Sequence, residues 1–429
     1  MAMSSQGSWQ DELKYIAGMM RELSRESDPQ TASQLYGQRL REWGLVPADG
    51  YIGLSRRGLA APHYRMTRSS TWKEAVNPWQ QPNKLPMFDS GLLGELIYSN
   101  EPAVIRDLPS RLRRDDPCYE FLKDMELLVA SPHYDDGEAL NMGVTLVRHE
   151  AGFPYERIPT LVWQSILWGR AVRNLVLQKE LAAAYKSLDY ELRTVGQIQQ
   201  TLLPNPLPNI PGLDVAAYYQ TAQRAGGDYY DFFFPCEGGR CGIFIADVSG
   251  HGPPAAVIMA VTHAIAHLDP GRGTPPGQML AFINRHLTDR YLGGSGSFVT
   301  GLYAIFDPAR RTLTYSRAGH NPARLLRDGK CLAMDHVGGL PLGIMDNGAY
   351  AEHTEALRGG DLLMFYTDGI TESKNGSGGM FDVEGLDAAL GAGPPEAQAS
   401  IDRVLASVSS FTGGAPPLDD RTLLAMGIR

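Results

Sequence analysis

Cysteine is scarce in this chain. Its 429 residues carry four thiols, Cys118, Cys236, Cys241 and Cys331, with no dense or regular spacing. That excludes a disulfide-stapled secreted scaffold and fits a reducing compartment. Cys236 and Cys241 flank "EGGR", a turn signal, and are expected to face each other as plain thiols or as a metal or redox pair. A surplus of basic residues is also missing. The formal net charge is −9, which argues against a general nucleic-acid binder. Long apolar runs are absent too: the nearest, "TLVWQSILWGRAVRNLVLQ", is interrupted by Arg170 and Arg173, so no bilayer span is expected. The polar opening "MAMSSQGSWQDELK" does not read as a secretory leader, and the expected location is cytoplasmic.

What is present suits soluble globular domains: 43% hydrophobic and 20% charged residues, in a chain long enough for two or three cores. Three regions separate. Residues 10–160 open with a helix over Asp11–Ser24. The strand candidates "YIGLS", "PAVIRDL", "ELLVASPHY" and "LNMGVTLVRHE" follow, the last two flanking the hairpin signal "DDGEA". Residues 161–203 are helical almost without breakers. Leu181, Tyr185, Leu188, Leu192, Val195, Gln199 and Leu202 step by four and three, a heptad seam that fits a parallel pair between two subunits. Gln199 weakens the seam and Gly196 the helix. The competing reading is a single helix packed on its own domain. "LPNPLPNIPG" then stops the helix.

Residues 204–429 are strand-rich, with paired helices between the strand groups, a pattern that predicts two face-to-face sheets with helices outside. Acidic residues recur at strand ends. Asp228 and Asp231 lie in "GGDYYDFF", Asp247 ends "CGIFIADV", Asp368 ends "LLMFYTD", and Asp419 and Asp420 begin "DDRTLLAM". Each alone is an ordinary turn or cap residue. Together they can converge on one rim, where carboxylates raise each other's pKa unless a cation neutralises them. Oxygen ligands without nearby His or Cys select Mg²⁺ or Mn²⁺ over zinc. His263 and His267 sit four apart on a predicted helix, a spacing that can bind zinc. No third ligand is evident in the sequence, so they read as ordinary helix histidines.

The blocks "GGDYYDFF", "ADVSGHGPPAA", "FVTGLYAIFD", "AGHNP", "GLPLGI", "FYTDGITES" and "DDRTLL" occur in this order. Together they resemble the bacterial sporulation and stress-response (SpoIIE/RsbU-like) branch of the PPM metal-dependent Ser/Thr protein phosphatases. The resemblance implies an α/β (α+β) chain with a C-terminal α-β-β-α sandwich over 204–429 and a two-metal centre of Mn²⁺ or Mg²⁺ at one end. By motif position Asp228 would bridge or hold the ion pair, and Asp247 would be the second bridging ligand, joined by the backbone carbonyl of Val248. Asp368 and Asp419 would complete the second site. Asp231 would bind through water or brace Asp228, and Asp420 would stay outside the ligand set. His251 is the candidate general acid, or else a turn residue packed on the glycines. His320 and Asn321 would face substrate or shape a turn.

More faintly, residues 10–160 resemble GAF sensor domains, with an unknown sensor ligand; Cys118 is a sensing residue or a plain side chain. The order sensor, helical linker, phosphatase implies a regulated homodimeric enzyme. Its implied substrate is a phosphorylated protein such as an anti-sigma-factor antagonist, with neither nucleic acid nor membrane as partner. The rival readings are a degenerate binding module of the same fold and another two-metal phosphoesterase, such as a nuclease. Retention of all four key aspartates disfavours the first, and the acidic balance disfavours the second.

Overall fold

A computed structural model describes residues 9–43, 48–268, 273–292 and 296–429. The chain divides into two compact units, Met1–Tyr185 and Lys186–Arg429.

The first unit begins with α1 (Trp9–Leu23) and α2 (Pro29–Trp43). The sequence reading found α1 but not α2, although "SDPQT" marks its start. Asp28 Oδ2 accepts the Thr31 N–H at 2.8 Å, an N-cap, and Pro29 occupies the first turn, where no N–H is needed. Next come β1 (Gly50–Ser55), β2 (Tyr64–Ser69), β3 (Met87–Phe88), α3 (Leu92–Ser99) and β4 (Ala103–Ile105). Two single-turn helices follow, α4 (Leu108–Arg111) and α5 (Tyr119–Leu122), then β5 (Leu127–Asp135) and β6 (Glu138–Val147). The strands form one six-stranded antiparallel sheet in the order β3-β2-β1-β6-β5-β4.

The predicted β5–β6 hairpin is present. Asp136 and Gly137 both take left-handed φ, 54° and 81°, as a two-residue primed turn demands. Period-two alternation sends Leu128 and Ala130 into the core with α3, and Leu127 and Val129 to the other face, against Leu161. Cys118 is buried beside Tyr64, and burial pushes its thiol up to about 11, which makes it inert at neutral pH.

One helix, α6 (Ile158–Gln200), runs through the whole predicted linker, and its residues from Lys186 onward belong with the second unit. The predicted seam is exposed over Leu181 (56%), Tyr185 (65%) and Leu188 (51%). At the far end it docks. Gln199 is buried, its Oε1 accepting the Gly226 N–H at 3.0 Å while its Nε2 donates back to the Gly226 carbonyl. A Cβ on Gly196 would stand 1.9 Å from the Arg224 carbonyl oxygen. The residue that weakens the seam and the one that weakens the helix are therefore the two that let the helix end meet the loop before Asp228.

The second unit is built from β7 (Leu213–Gln220), β8 (Tyr229–Phe233), β9 (Cys241–Val248), α7 (Pro253–Ala266), α8 (Pro276–Leu287), β10 (Val299–Asp307) and β11 (Thr312–Ala318). It continues with β12 (Arg324–Arg327), β13 (Lys330–Ala333), β14 (His353–Ala356), β15 (Leu362–Tyr366), α9 (Asp368–Thr371), α10 (Asp382–Gly391), α11 (Ala397–Thr412) and β16 (Arg421–Ile428). Two five-stranded sheets form, ordered β14-β11-β10-β9-β8 and β13-β12-β15-β16-β7. β15 shows the layering: Leu363 and Phe365 join the cluster of Phe244 and Leu302 from the first sheet, while Leu362 and Met364 meet Leu386, Leu390, Ile401 and Val404 of α10 and α11. Met259 and Ile265 of α7 and Met279 and Ile283 of α8 cover the first sheet. The predicted helix–sheet–sheet–helix sandwich is what forms, and it explains why β9, β10, β15 and β16 read as nearly continuous apolar runs: both of their faces are buried. The four cysteines form no disulfide, and Cys236 and Cys241 are buried at the ends of their turn, Cys236 Sγ donating to the Phe233 carbonyl.

Candidate metal centre

Topology brings the distant carboxylates to one rim. β8 and β9 are antiparallel neighbours with Tyr229 opposite Ala246, so Asp228, one step before β8, stands level with Asp247 near the end of β9. In the other sheet β15 and β16 are antiparallel, with Tyr366 opposite Leu423. Asp368 therefore leaves the same edge at which Asp419 and Asp420 enter. Four strand ends meet there because each pair reverses direction.

Asp228 is 1% exposed, and its Oδ2 accepts the hydroxyls of Thr367 at 2.8 Å and Thr422 at 2.6 Å, both from the second sheet. Burial, then the charges of Asp420 and Asp368, push its carboxyl up to about 8 despite those donors. Burial and the charges of Asp228, Asp368, Asp419 and Asp420 push Asp247 up to about 9. Burial, then Asp419 and Glu372, push Asp368 up to about 6. Asp419 lies exposed at the mouth. Groups that disturb one another this strongly share one site, and their common remedy is positive charge.

Asp420 has a different task. Its Oδ1 accepts the Ala222 N–H at 2.8 Å and its Oδ2 the Gly227 N–H at 2.6 Å. It holds the glycine loop that delivers Asp228, with both oxygens engaged. The glycines are demanded by this contact: a Cβ on Gly226 would lie 2.3 Å from Asp420 Oδ2, and one on Gly227 would lie 2.9 Å from the Val248 carbonyl oxygen. The Val248 carbonyl thus borders the loop beside Asp228. Arg421 donates to the Gly369 carbonyl and to Ser373 Oγ, bracing the turn that starts with Asp368.

The sequence reading did not find Thr367, Thr422 or Arg421. A signal existed: Thr367 immediately precedes Asp368, and Thr422 lies two places beyond Asp420. A hydroxyl's direction across two sheets is nevertheless not visible in one strand. His251 is exposed on the loop after β9, its Nδ1 2.9 Å from Gln223 Nε2. His320 is buried, its Nδ1 2.9 Å from Thr300 Oγ1 and its backbone carbonyl accepting from Arg317, so it shapes the turn.

Asp231 does not join this group. Residues three apart on a strand face opposite sides, and Asp231 turns toward α7. Its Oδ2 lies 2.8 Å from His267 Nε2 and accepts the Tyr229 hydroxyl at 2.6 Å, while its Oδ1 accepts the Phe232 N–H at 2.7 Å. His263 Nδ1 is 3.6 Å from the same Oδ2. Burial alone would raise this carboxyl. The donors His263, Tyr229, His267 and Phe232 outweigh it and hold the group below the usual carboxylate range. Asp231, His263 and His267 can together coordinate one divalent ion. The third ligand missing from the sequence pattern is thus supplied by the neighbouring strand.

The carboxylate rim fits divalent ions by its chemistry. Asp228, Asp247, Asp368, Asp419 and the Val248 carbonyl are all oxygen donors, suited to Mg²⁺ or Mn²⁺.

Comparison with known proteins bears on the second unit. Residues 237–429 match the family model for stage II sporulation protein E (SpoIIE). Asp247, Val248, His251, Asp368 and Asp419 fall within the match; Asp228 and Asp231 precede it. The chain is 31% identical over 199 residues to the phosphoserine phosphatase RsbU of Bacillus subtilis, covering 46% of this chain and 58% of that protein. It is 27% identical over 184 residues to the phosphoserine phosphatase RsbP of the same organism, covering 42% and 45%. The chain thus spans about half the length of these curated relatives. The SiaA-PP2C domain of Pseudomonas aeruginosa superposes with a TM-score of 0.52 at 20% identity, over 58% of this chain and 100% of that domain, a likeness of fold. The likeness of the C-terminal half is thus to SpoIIE and to the RsbU and RsbP phosphatases. No helix among the described residues is long and apolar enough to cross a membrane.

Proposed function

We propose that the second unit is a metal-dependent protein phosphatase that hydrolyses phosphoserine or phosphothreonine on a regulatory protein of the anti-sigma-factor-antagonist kind. The observation that carries this reading is the meeting of Asp228, Asp247, Asp368 and Asp419 at one sandwich rim, their charges coupled. Asp228, Asp247, the Val248 carbonyl, Asp368 and Asp419 would hold two Mn²⁺ or Mg²⁺ ions. When bound, such ions neutralise phosphate oxygens and lower the pKa of water near them. The protein's own part is positional. Thr367 and Thr422 fix the Asp228 carboxylate, Asp420 fixes the loop that carries it, and Arg421 fixes the turn of Asp368. His251, exposed and with its Nδ1 2.9 Å from Gln223 Nε2, is the residue proposed to hand a proton to the departing serine oxygen.

The first unit is read as a GAF-like sensor for an unidentified ligand. The exposed seam of α6 is read as a homodimer contact, and the grip of Gln199 on Gly226 as the point where helix position reaches the loop of Asp228. Phosphate release from a phosphoserine peptide in Mn²⁺ tests the chemistry. Wild-type turnover together with loss in Asp247→Asn supports the reading; no metal-dependent release by the folded chain overturns it.

A further inference from the structure

Outside the carboxylate rim, one cluster combines metal-binding residue types with convergent geometry. His263, in the last turn of α7, and His267, its C-cap residue, lie one turn apart. Both aim ring nitrogens at Asp231 Oδ2, at 3.6 and 2.8 Å. An ion held tetrahedrally at zinc distances sets its ligand atoms about 3.3 Å apart, and the two observed separations bracket that spacing. All three ligand atoms lie within 4.8 Å of one another.

The surroundings support coordination. Asp231 is 5% exposed, and it is aimed by the Phe232 N–H on one oxygen and the Tyr229 hydroxyl on the other. Metal-binding carboxylates are typically fixed by such outer partners. The Tyr229 ring packs edge-on to His263, and its hydroxyl lies 3.2 Å from His263 Nδ1; the Phe233 ring packs on His267. The His267 side chain is 46% exposed, which leaves a path for the ion and room for water as a fourth ligand.

We propose that Asp231, His263 and His267 form a second kind of metal site, selective for Zn²⁺ or a similar transition ion and separate from the Mg²⁺/Mn²⁺ rim. Two imidazoles and one carboxylate favour zinc over magnesium, which wants oxygen and octahedral geometry. The two sites lie on opposite faces of β8, because Asp228 and Asp231 differ by an odd number of residues. An ion here ties α7 to β8 and so clamps the scaffold that begins with Asp228 and follows Asp247. The proposal does not depend on phosphatase activity.

The test uses the full chain, stripped with chelator, dialysed against Zn²⁺ in excess Mg²⁺, and assayed for bound zinc. Co²⁺ titration gives a parallel optical readout of tetrahedral coordination. The expected result is one zinc per chain and a raised thermal midpoint. Both should be lost in His263→Ala and in His267→Gln, the latter an exposed position where folding is not at risk, and both should be kept in Asp247→Asn. Three results would overturn the proposal: no zinc on the wild type, zinc kept in both histidine variants, or zinc lost in Asp247→Asn, which would move the ion to the rim.

Discussion

Thr422 lies far from Asp228 in the chain, yet its hydroxyl makes the shorter of the two side-chain bonds that hold that carboxylate. Thr422→Val keeps the shape and removes the donor. We expect a roughly 10–100-fold loss of Mn²⁺ affinity or turnover, as for other outer partners of metal ligands, with circular dichroism unchanged. At this scale the acids were legible from sequence, since aspartates at strand ends are conspicuous. Their supports were not, because Thr reads equally well as a strand former. His320 allows a second test. Burial, reinforced by Arg317, pushes its pKa down to about 3. Since the unfolded chain titrates near 6.5, it binds more protons than the folded chain between these values. The contribution of this histidine to stability is therefore full above about pH 6.5 and declines as pH falls toward 3. At pH 5 the loss is roughly 2 kcal/mol. Urea unfolding of the wild type should lose that much relative to His320→Asn between pH 7 and pH 5; parallel pH profiles would refute the assignment.

At the scale of elements, α6 shows how a weak pattern conceals a function. Gln199 weakens the seam and Gly196 the helix, and the structure gives the reason: one grips Gly226 and the other admits the Arg224 carbonyl. Gln199→Ala removes two buried hydrogen bonds, worth together about 1–3 kcal/mol. We expect that destabilisation of the second unit, together with slower phosphate release because the Asp228 loop is freed; a stability loss with unchanged turnover would make the contact merely structural. Gly196→Ala should lower turnover more, since its methyl group meets backbone rather than a flexible side chain. β8 teaches the complementary lesson. Motif position assigns Asp231 to water-mediated binding or to bracing Asp228, but a period of two divides the pair between the rim and α7. That division was available from the sequence once Tyr229–Phe233 was taken as a strand, and so was the zinc-type spacing of His263 and His267. Only the pairing of strand with helix was hidden.

For the molecule as a whole, the exposed stripe Leu181, Tyr185 and Leu188 sets the prediction. If it joins two copies, Leu181→Glu with Leu188→Glu gives a monomer by analytical ultracentrifugation, and removal of residues 1–187 changes both mass and turnover. Unchanged mass and turnover would remove the linker from the regulatory reading. The sequence by itself determined the layered architecture of residues 204–429 and the identity of the acids, because burial on both faces writes apolar runs and strand ends attract aspartate. It also determined one unbroken helix from Ile158, since nothing in that stretch costs enough to stop it. What only the tertiary structure decided is company: which carboxylate meets hydroxyls, which meets imidazoles, and which glycine is pressed against a carbonyl. Those contacts join residues up to 194 positions apart. Local preference carries no information over such separations; strand order and register do, and they are set by the packing of the whole unit.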